Sequence, residues 1–278
     1  MFLSIIILTY NETVNLPACL TSLQALNAEI FIVDSGSSDN TVEIAKQAGC
    51  QVFIHPWENY AKQLNWALEN LPISTPWVMR LDADECLTSK LVNELKYVLP
   101  KTPDQITGYQ VKRRVFFMGR WIRYGGYYPT WLLRVWRNGL GTCEQRWMDE
   151  HILLTEGKVA NLKYDIIDDN QKGLTFWTDK HNRYADREVK DLLSMPDDQD
   201  DLISSTQSSQ AGKRRWLKKN FYARSPLFLR AFLYFLTRYI IGLGFLDGIQ
   251  GLIFHFLQGF WYRFLVDAKI YEITRKRN

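Results

Sequence analysis

The chain has 278 residues, 46% of them hydrophobic and 23% charged, which places it in the globular range, as one large domain or one domain with an appendage. A net charge of +4 is too weak to argue for a nucleic-acid partner. Four cysteines, Cys19, Cys50, Cys86 and Cys143, lie far apart with no CxxC pair, which argues against both a zinc site and a disulfide framework.

The N-terminus, MFLSIIILTYNE, has no basic leader and no small-residue cleavage site, and reads as a first strand over 3–9. Its unbroken apolar run predicts burial on both faces. A helix is expected from about Pro17 to Leu26, with Pro17 in its first turn. EIFIVD (29–34) is the next strand. Asn40 then caps a helix, with Glu43 three residues on and Gly49 at its end. QVFI (51–54) is a short strand, Asn59 to Asn70 a helix, PWVMRLD (76–82) a fourth strand and Leu87 to Leu99 a helix. Strands alternating with helices imply a mostly parallel sheet covered on both faces.

From Gly108 the rhythm changes: GYQVKRRVFF and TWLLRVW read as strands joined by the Gly- and aromatic-rich MGRWIRYGGYYP (118–129). Lys112, Arg113 and Arg114 are expected on a solvated strand face. Beyond Leu174 the pattern is mainly helical, interrupted by an acidic tract at 195–212 that reads as a loop. Residues 226–272 are very apolar and aromatic, punctuated by Arg230, Arg238, Asp247, His255 and Arg263. Charges recur too often there for a single membrane span. Helices lying in a membrane interface are expected, or a helical pair packed on its own domain or on a second subunit. The flanking basic runs KRRWLKK (213–219) and RKR (275–277) suit an anionic lipid surface.

Chemistry concentrates at strand ends. In open parallel sheets, ligands bind beyond the carboxyl ends of the strands. Strand one ends in Thr9-Tyr10-Asn11-Glu12, strand two in Asp34-Ser35-Gly36-Ser37-Ser38-Asp39, and the fourth strand in Asp82-Ala83-Asp84-Glu85. Carboxylates as close as those of RLDADE repel one another unless something positive sits between them. A D-x-D triplet at a strand end suits a divalent cation that keeps waters and takes its remaining ligands from a diphosphate. A separate basic and aromatic segment interleaves Arg120, Arg123 and Arg134 with Trp121, Tyr124, Tyr127 and Tyr128. Guanidinium forks bind phosphate and aromatic faces take sugar rings, so a phosphorylated glycolipid acceptor suits both.

Taken together, TYNE, VDSGSSDNTVEIA and WVMRLDADE resemble the nucleotide-sugar half of family-2 glycosyltransferases with the GT-A fold. GRWIRYGGYYP, LLRVWR and WMDEH resemble the acceptor half of the bacterial subgroup that builds lipopolysaccharide core or related surface glycans. The resemblance implies an α/β GT-A domain: a nucleotide-sugar half over 1–100, an acceptor half over 101–194, a loop and basic segment over 195–225, and apolar helices over 226–278. It implies that Thr9, Asn11 and Glu12 line the nucleoside pocket and that Asp34 bonds the base or ribose. The second acid many members carry there is Ser35 here. Asn65 and Lys62 fall on the helix that faces the nucleotide in the family. Arg80 is expected near the donor phosphates or paired with an acid, Asp82 at the donor ribose or sugar, and Asp84 on Mg²⁺ or Mn²⁺.

Sugar transfer needs a base for the acceptor proton. In the family this is a carboxylate of the second half, here Glu150, with Asp149 as its rival and His151 as a metal ligand or a structural partner. The implied enzyme is a metal-dependent inverting hexosyltransferase, peripheral to the inner face of the cytoplasmic membrane. Its donor is expected to be UDP-glucose or similar, with GDP left open, and its acceptor a lipopolysaccharide core or lipid-linked glycan. A homodimer is a further expectation. Two other readings stand beside it: a nucleotidyltransferase, and a non-catalytic membrane-tethered glycan-binding module.

Overall fold

The computed structural model describes residues 1–145, 150–194, 212 and 225–277. They form two compact units, Met1–Phe116 with Leu132–Lys172, and Phe117–Trp131 with Gly173–Asn278. This division departs from the expected one. The strand-rich acceptor half contributes most of its length to the same sheet as the nucleotide half, and its Gly- and aromatic-rich insert belongs with the C-terminal helices.

The first unit is built on β1 (Leu3–Thr9), β2 (Glu29–Asp34), β3 (Gln51–Ile54), β4 (Trp77–Asp82), β5 (Glu85–Leu87), β6 (Ile106–Phe117), β8 (Thr130–Arg137) and β11 (Lys158–Asp168). A short β7 (Arg120–Ile122) lies between β6 and β8 in the chain, and β9 (Gly141–Cys143) pairs with β10 (Ile152–Leu154) as a separate hairpin. The sheet runs β3-β2-β1-β4-β8-β6-β11-β5. The first four strands are parallel, which matches the expectation from their alternation with helices. Burial explains the unbroken apolar run of β1. Ile5 and Ile7 pack into a core with Leu16, Leu20 and Leu23 of α1 (Leu16–Leu23) and Leu91 and Leu95 of α4 (Ser89–Val98). Ile6 points the other way, with Phe31, Val33 and Val78, toward Ala61, Leu64 and Ala67 of α3 (Tyr60–Asn70). Period-two alternation thus puts apolar side chains on both faces, and each face is covered by helix.

Helix boundaries follow the sequence closely, with one exchange of roles. The side chain of Asn59 caps α3 by accepting from Lys62 N at 2.8 Å, and that of Thr88 caps α4 by accepting from Leu91 N at 3.3 Å. Asn40 makes no capping bond at α2 (Thr41–Gln47); Asp39 accepts from Thr41 N at 3.0 Å in its place. Five strands, β5, β7, β9, β10 and β11, lie where no strand is expected from the sequence. β11 reads KVANLKYDIID, without clean alternation, because its acids face a basic neighbour. Asp165 pairs with Arg114 at 2.5 Å and Lys112 at 3.5 Å, and Asp168 with Arg113 at 3.2 Å. The three basic residues are therefore partners across the sheet, where a solvated face was expected.

Among the described residues the second unit is helical after Gly173, as expected. In α5 (Gly173–Ser194), Ala185 and Val189 pack on Tyr262 and Val266 of α8 (Tyr262–Arg277). Two further helices, α6 (Leu229–Leu236) and α7 (Gly248–Phe254), are extended by wider π-type turns at Thr237–Ile241 and His255–Trp261. The result is a bent pair, Leu229–Ile241 and Gly244–Lys276, at 69°. Among the described residues no single helix is long and apolar enough to cross a membrane, while this bent pair passes by length and composition. The acidic tract at 195–211 and the basic run at 213–219 lie outside the described residues.

Candidate active site

Parallel pairing brings the three polar strand ends together. Thr9 is the register partner of Asp34, and Leu8 of Asp82, so β1, β2 and β4 deliver their last residues to one edge of the sheet.

At the β1–β2 corner the polar groups mostly build the loop. Asp34 is fully buried and accepts from Gly36 N at 2.9 Å, Ser37 N at 2.7 Å, Ser37 Oγ at 2.5 Å and Thr9 Oγ1 at 2.8 Å. Four donors occupy a carboxylate with about four lone-pair sites. The side chain expected to bond a base or ribose therefore shapes the loop here. Asn11 adopts φ 54° and bridges the two loops: its N–H donates to Ser37 Oγ at 2.8 Å and its Oδ1 accepts from Ser38 N at 2.8 Å. Glu12 is held between Lys172 Nζ at 2.6 Å and Asn15 Nδ2 at 2.8 Å.

On α3 the two expected nucleotide-facing residues are placed elsewhere. Lys62 is exposed and pairs with Glu58 one turn away. Asn65 spends its whole amide on one backbone unit, donating to Cys143 O at 2.9 Å and accepting from Cys143 N at 2.7 Å. It clamps β9, and so roots the β9–β10 hairpin, against the helix. The helix does supply a residue that sequence reasoning missed: Tyr60 donates its phenol to Asp82 Oδ1 at 3.0 Å.

The end of β4 is a shared-cation network. Arg80 lies 3.6 Å from Asp82 Oδ1 and stacks over the Tyr60 ring at 4.0 Å, so it pairs with an acid. From the antiparallel β8, where Val135 faces Met79, Arg134 reaches both Asp82 Oδ2 at 3.1 Å and Glu85 Oε1 at 2.5 Å. Arg134 is 3% exposed and Glu85 1%, so this is a buried ion pair. Arg134 belongs to the acid cluster of the sheet, and the expectation that it binds an acceptor does not match this position. Burial pushes Glu85 up to about 7 although Arg134 pulls the other way, with Asp82 and Asp168 adding to the rise. Burial also works against the charge on Asp82, yet Arg134 and Arg80 together hold its carboxyl well below the usual range. Glu85 further accepts from Asp82 N at 3.0 Å, which fixes the tight turn into β5.

Asp84 sits on that turn, half-buried, and accepts from Asn170 Nδ2 at 2.8 Å. Asp169 donates its N–H to Asp84 O at 3.0 Å, and its carboxyl is raised by burial, with Asp84 adding repulsion despite an opposing bond from Gln171. Sequence reasoning missed Asp169, Asn170 and Lys172; the run Asp168-Asp169-Asn170 was visible, but not as the end of a strand. Among the described residues no group of three or more His, Cys, Asp and Glu side chains stands ready as a metal cage. The carboxylates of Asp84 and Asp169, which repel one another, are hard donors. They suit a cation that takes its other ligands from water and phosphate.

The hairpin β9–β10 carries WMDEH. Asp149 lies outside the described residues. Glu150 and His151 follow, with Glu144 N donating to His151 O at 2.9 Å. Burial pushes the Cys143 thiol up to about 12, with Arg80 opposing and Glu150 and Glu144 adding to the rise.

In the second unit, Arg120, Trp121 and Arg123 line one cleft of about 410 Å³ with Tyr124, Leu246 and Asp247. Tyr128 packs edge-on against Trp121 at 5.0 Å. Arg123 N and Tyr124 N both donate to the buried Asp247, at 3.1 and 3.0 Å.

Residues 4–153 match the family model for glycosyl transferase family 2. The chain belongs to glycosyltransferase family 2. It is 31% identical to the lipopolysaccharide core biosynthesis glycosyltransferase LpsC of Rhizobium meliloti (strain 1021), over 97% of this chain and 92% of that one. It is 34% identical over 118 residues, 42% of this chain and 40% of the other, to an uncharacterized glycosyltransferase of Rickettsia prowazekii (strain Madrid E). The fold matches that of residues 1–349 of S. aureus TarS in complex with UDP-GlcNAc, with a TM-score of 0.52 at 13% identity, over 98% of this chain and 92% of that one. The enzyme thus has the GT-A fold, and family membership sets aside the nucleotidyltransferase and the non-catalytic binding module.

Proposed function

We propose that this glycosyltransferase moves a hexose from a UDP-sugar to a hydroxyl of a lipopolysaccharide core or lipid-linked glycan, with inversion, at the inner face of the cytoplasmic membrane. The observation that carries the reading is the arrangement at one sheet edge: Asp82 at the end of β4 beside the loops that close β1 and β2, with Asp84 next to Asp169 and Asn170 at the following turn. The relative LpsC is named for lipopolysaccharide core biosynthesis and aligns over nearly its full length, which supports the acceptor class. TarS, solved with UDP-GlcNAc, supports a nucleotide-sugar donor.

In this reading Asp82, oriented by Arg80, Arg134 and Tyr60, meets the donor ribose or sugar. Asp84 and its neighbours Asp169 and Asn170 would hold Mg²⁺ or Mn²⁺ against the diphosphate. Such a cation supplies Lewis-acid stabilisation of the departing diphosphate. The acceptor oxygen attacks the anomeric carbon and the bond from that carbon to the phosphate oxygen breaks. Glu150 takes the acceptor proton, Asp149 being its rival. The cleft bearing Arg120, Trp121 and Arg123 is the part of the second unit best suited to a phosphorylated glycan.

The test is a donor panel. With Mg²⁺ or Mn²⁺ present, UDP-glucose, UDP-galactose, UDP-GlcNAc and GDP-mannose are compared by thermal shift and by slow donor hydrolysis. One UDP-sugar is expected to raise the melting temperature and to be hydrolysed. A response confined to the GDP-sugar overturns the nucleotide assignment, and silence toward all four overturns the donor class.

A further inference from the structure

We infer that the second unit inserts the bent helical pair between Leu229 and Phe264 into the hydrocarbon of one bilayer leaflet. This deepens the membrane location proposed above and rests on it.

The argument starts from the charges that interrupt this segment. In the sequence they argued against a membrane helix; in the structure they all turn inward. Arg230 and Asp267 are buried and paired, with Arg230 Nε 2.7 Å from Asp267 Oδ1. Arg238 Nε donates to Gly125 O at 2.7 Å. Asp247 accepts the two backbone N–H groups of Arg123 and Tyr124. His255 is fully buried, and Arg263 Nη1 meets Glu188 Oε1 at 2.6 Å. Ionisable residues within a membrane face the bundle interior and pair with one another or with backbone carbonyls. These do so.

What remains outside is apolar. The exposed large side chains over this stretch are Leu229, Phe232, Leu233, Ile240, Ile241, Leu243, Phe245, Leu246, Ile249, Leu252, Phe256 and Phe264, and no Asp, Glu, Lys, Arg or His is exposed among them. Thr237 is the exposed exception, and its hydroxyl donates to Leu233 O at 2.8 Å, inside its own helix. Hydrocarbon demands that an exposed polar side chain find its partner inside the protein, as Thr237 does.

Size selects insertion over crossing. Leu229–Ile241 gives about 20 Å of helix against a hydrocarbon core of about 30 Å, and the longer arm from Gly244 is not apolar enough to cross on its own. The chain then turns by 69°. Charge marks the margin of the inserted face. Leu246 lines the cleft that also holds the exposed Arg120 and Arg123, where lipid phosphates would begin. Beyond Phe264 the exposed residues include Arg275 and Lys276. Cations at that level suit anionic headgroups.

The full chain, in a Cys86→Ser background, would carry an environment-sensitive nitrobenzoxadiazole on Ile249→Cys or, as a control, on Tyr97→Cys. Both native side chains are exposed, at 62% and 66%, so neither change opens a core. Vesicles of phosphatidylcholine and phosphatidylglycerol in equal parts would carry nitroxides either on the acyl chain or on the headgroup. The expected result is flotation with the vesicles and acyl-chain quenching at 249 but not at 97. Ile249→Asp with Ile241→Asp should lower the vesicle-bound fraction about tenfold or more, while donor hydrolysis stays unchanged. Flotation without acyl-chain quenching at 249 overturns insertion and leaves the membrane location standing. Failure to float overturns both, as does a lipid-free dimer that shields position 249 and does not float.

Discussion

Arg134, delivered by an antiparallel strand, donates to the buried carboxylate of Glu85 at 2.5 Å and to Asp82 at 3.1 Å. One guanidinium thus neutralises two acids flanking the turn that presents Asp84. Removing it would leave Glu85 buried without a counter-charge. Arg134→Met is expected to cost about 3 to 5 kcal/mol in urea unfolding. Arg134→Lys should recover only part of this, since the shorter lysine stem leaves its ammonium short of the point where Nη2 meets both acids. A loss below about 1 kcal/mol for the Met variant would show the pair to be dispensable.

Asp84 is expected to act through charge. Asp84→Asn keeps the side-chain shape and the partnership with Asn170. Transfer should fall about 10²- to 10³-fold. Stabilisation by Mn²⁺ with UDP, read as a thermal shift, should vanish with it. An active Asp84→Asn enzyme that still responds to Mn²⁺ would move the cation elsewhere.

Glu150→Gln should lower kcat by about 10²- to 10⁴-fold with the donor KM little changed, because a base acts on the acceptor proton. Asp149→Asn should cost less. The reverse ranking would transfer the base role to Asp149.

Asn65 holds both polar groups of Cys143, whose backbone roots the hairpin that carries Glu150. Asn65→Ala leaves a buried N–H and C=O unpaired, at about 1 to 3 kcal/mol. Stability and kcat should fall together while donor KM stays near its original value. A selective rise in donor KM would restore this side chain to the nucleotide pocket.

His181 makes the second unit acid-sensitive. Burial pushes its imidazole down to about 4, although its Nδ1 donates to Trp177 O at 2.8 Å. A lowered folded pKa means that the unfolded chain binds the proton first. The contribution is complete above the unfolded value of 6.5 and is lost as pH falls toward 4, up to about 3 kcal/mol. Urea midpoints between pH 4.5 and 7.5 should fall on acidification, and less so in His181→Gln. Equal slopes would exclude His181 as the source.

The sequence by itself determined the parallel half of the fold and the edge at which its polar strand ends gather. Local patterning suffices there: apolar runs of strand length alternate with capped helices, and polar residues gather where each strand stops. The D-x-D turn was legible for the same reason, since its residues are adjacent in the chain. Only the tertiary structure decided which side chains are free to meet a ligand. Asp34, Asn65 and Arg134 carry the right chemistry, but loop donors, a distant backbone unit and two buried acids already occupy them. The partners that do so lie up to 78 positions away, as do Asn170 from Asp84 and Lys172 from Glu12 at greater distance still. The charges of the C-terminal helices show the same limit. Composition reports how many there are, but only packing shows that they face inward and leave an apolar exterior. Hydrogen bonding and burial are satisfied by proximity in space, which a linear pattern does not encode.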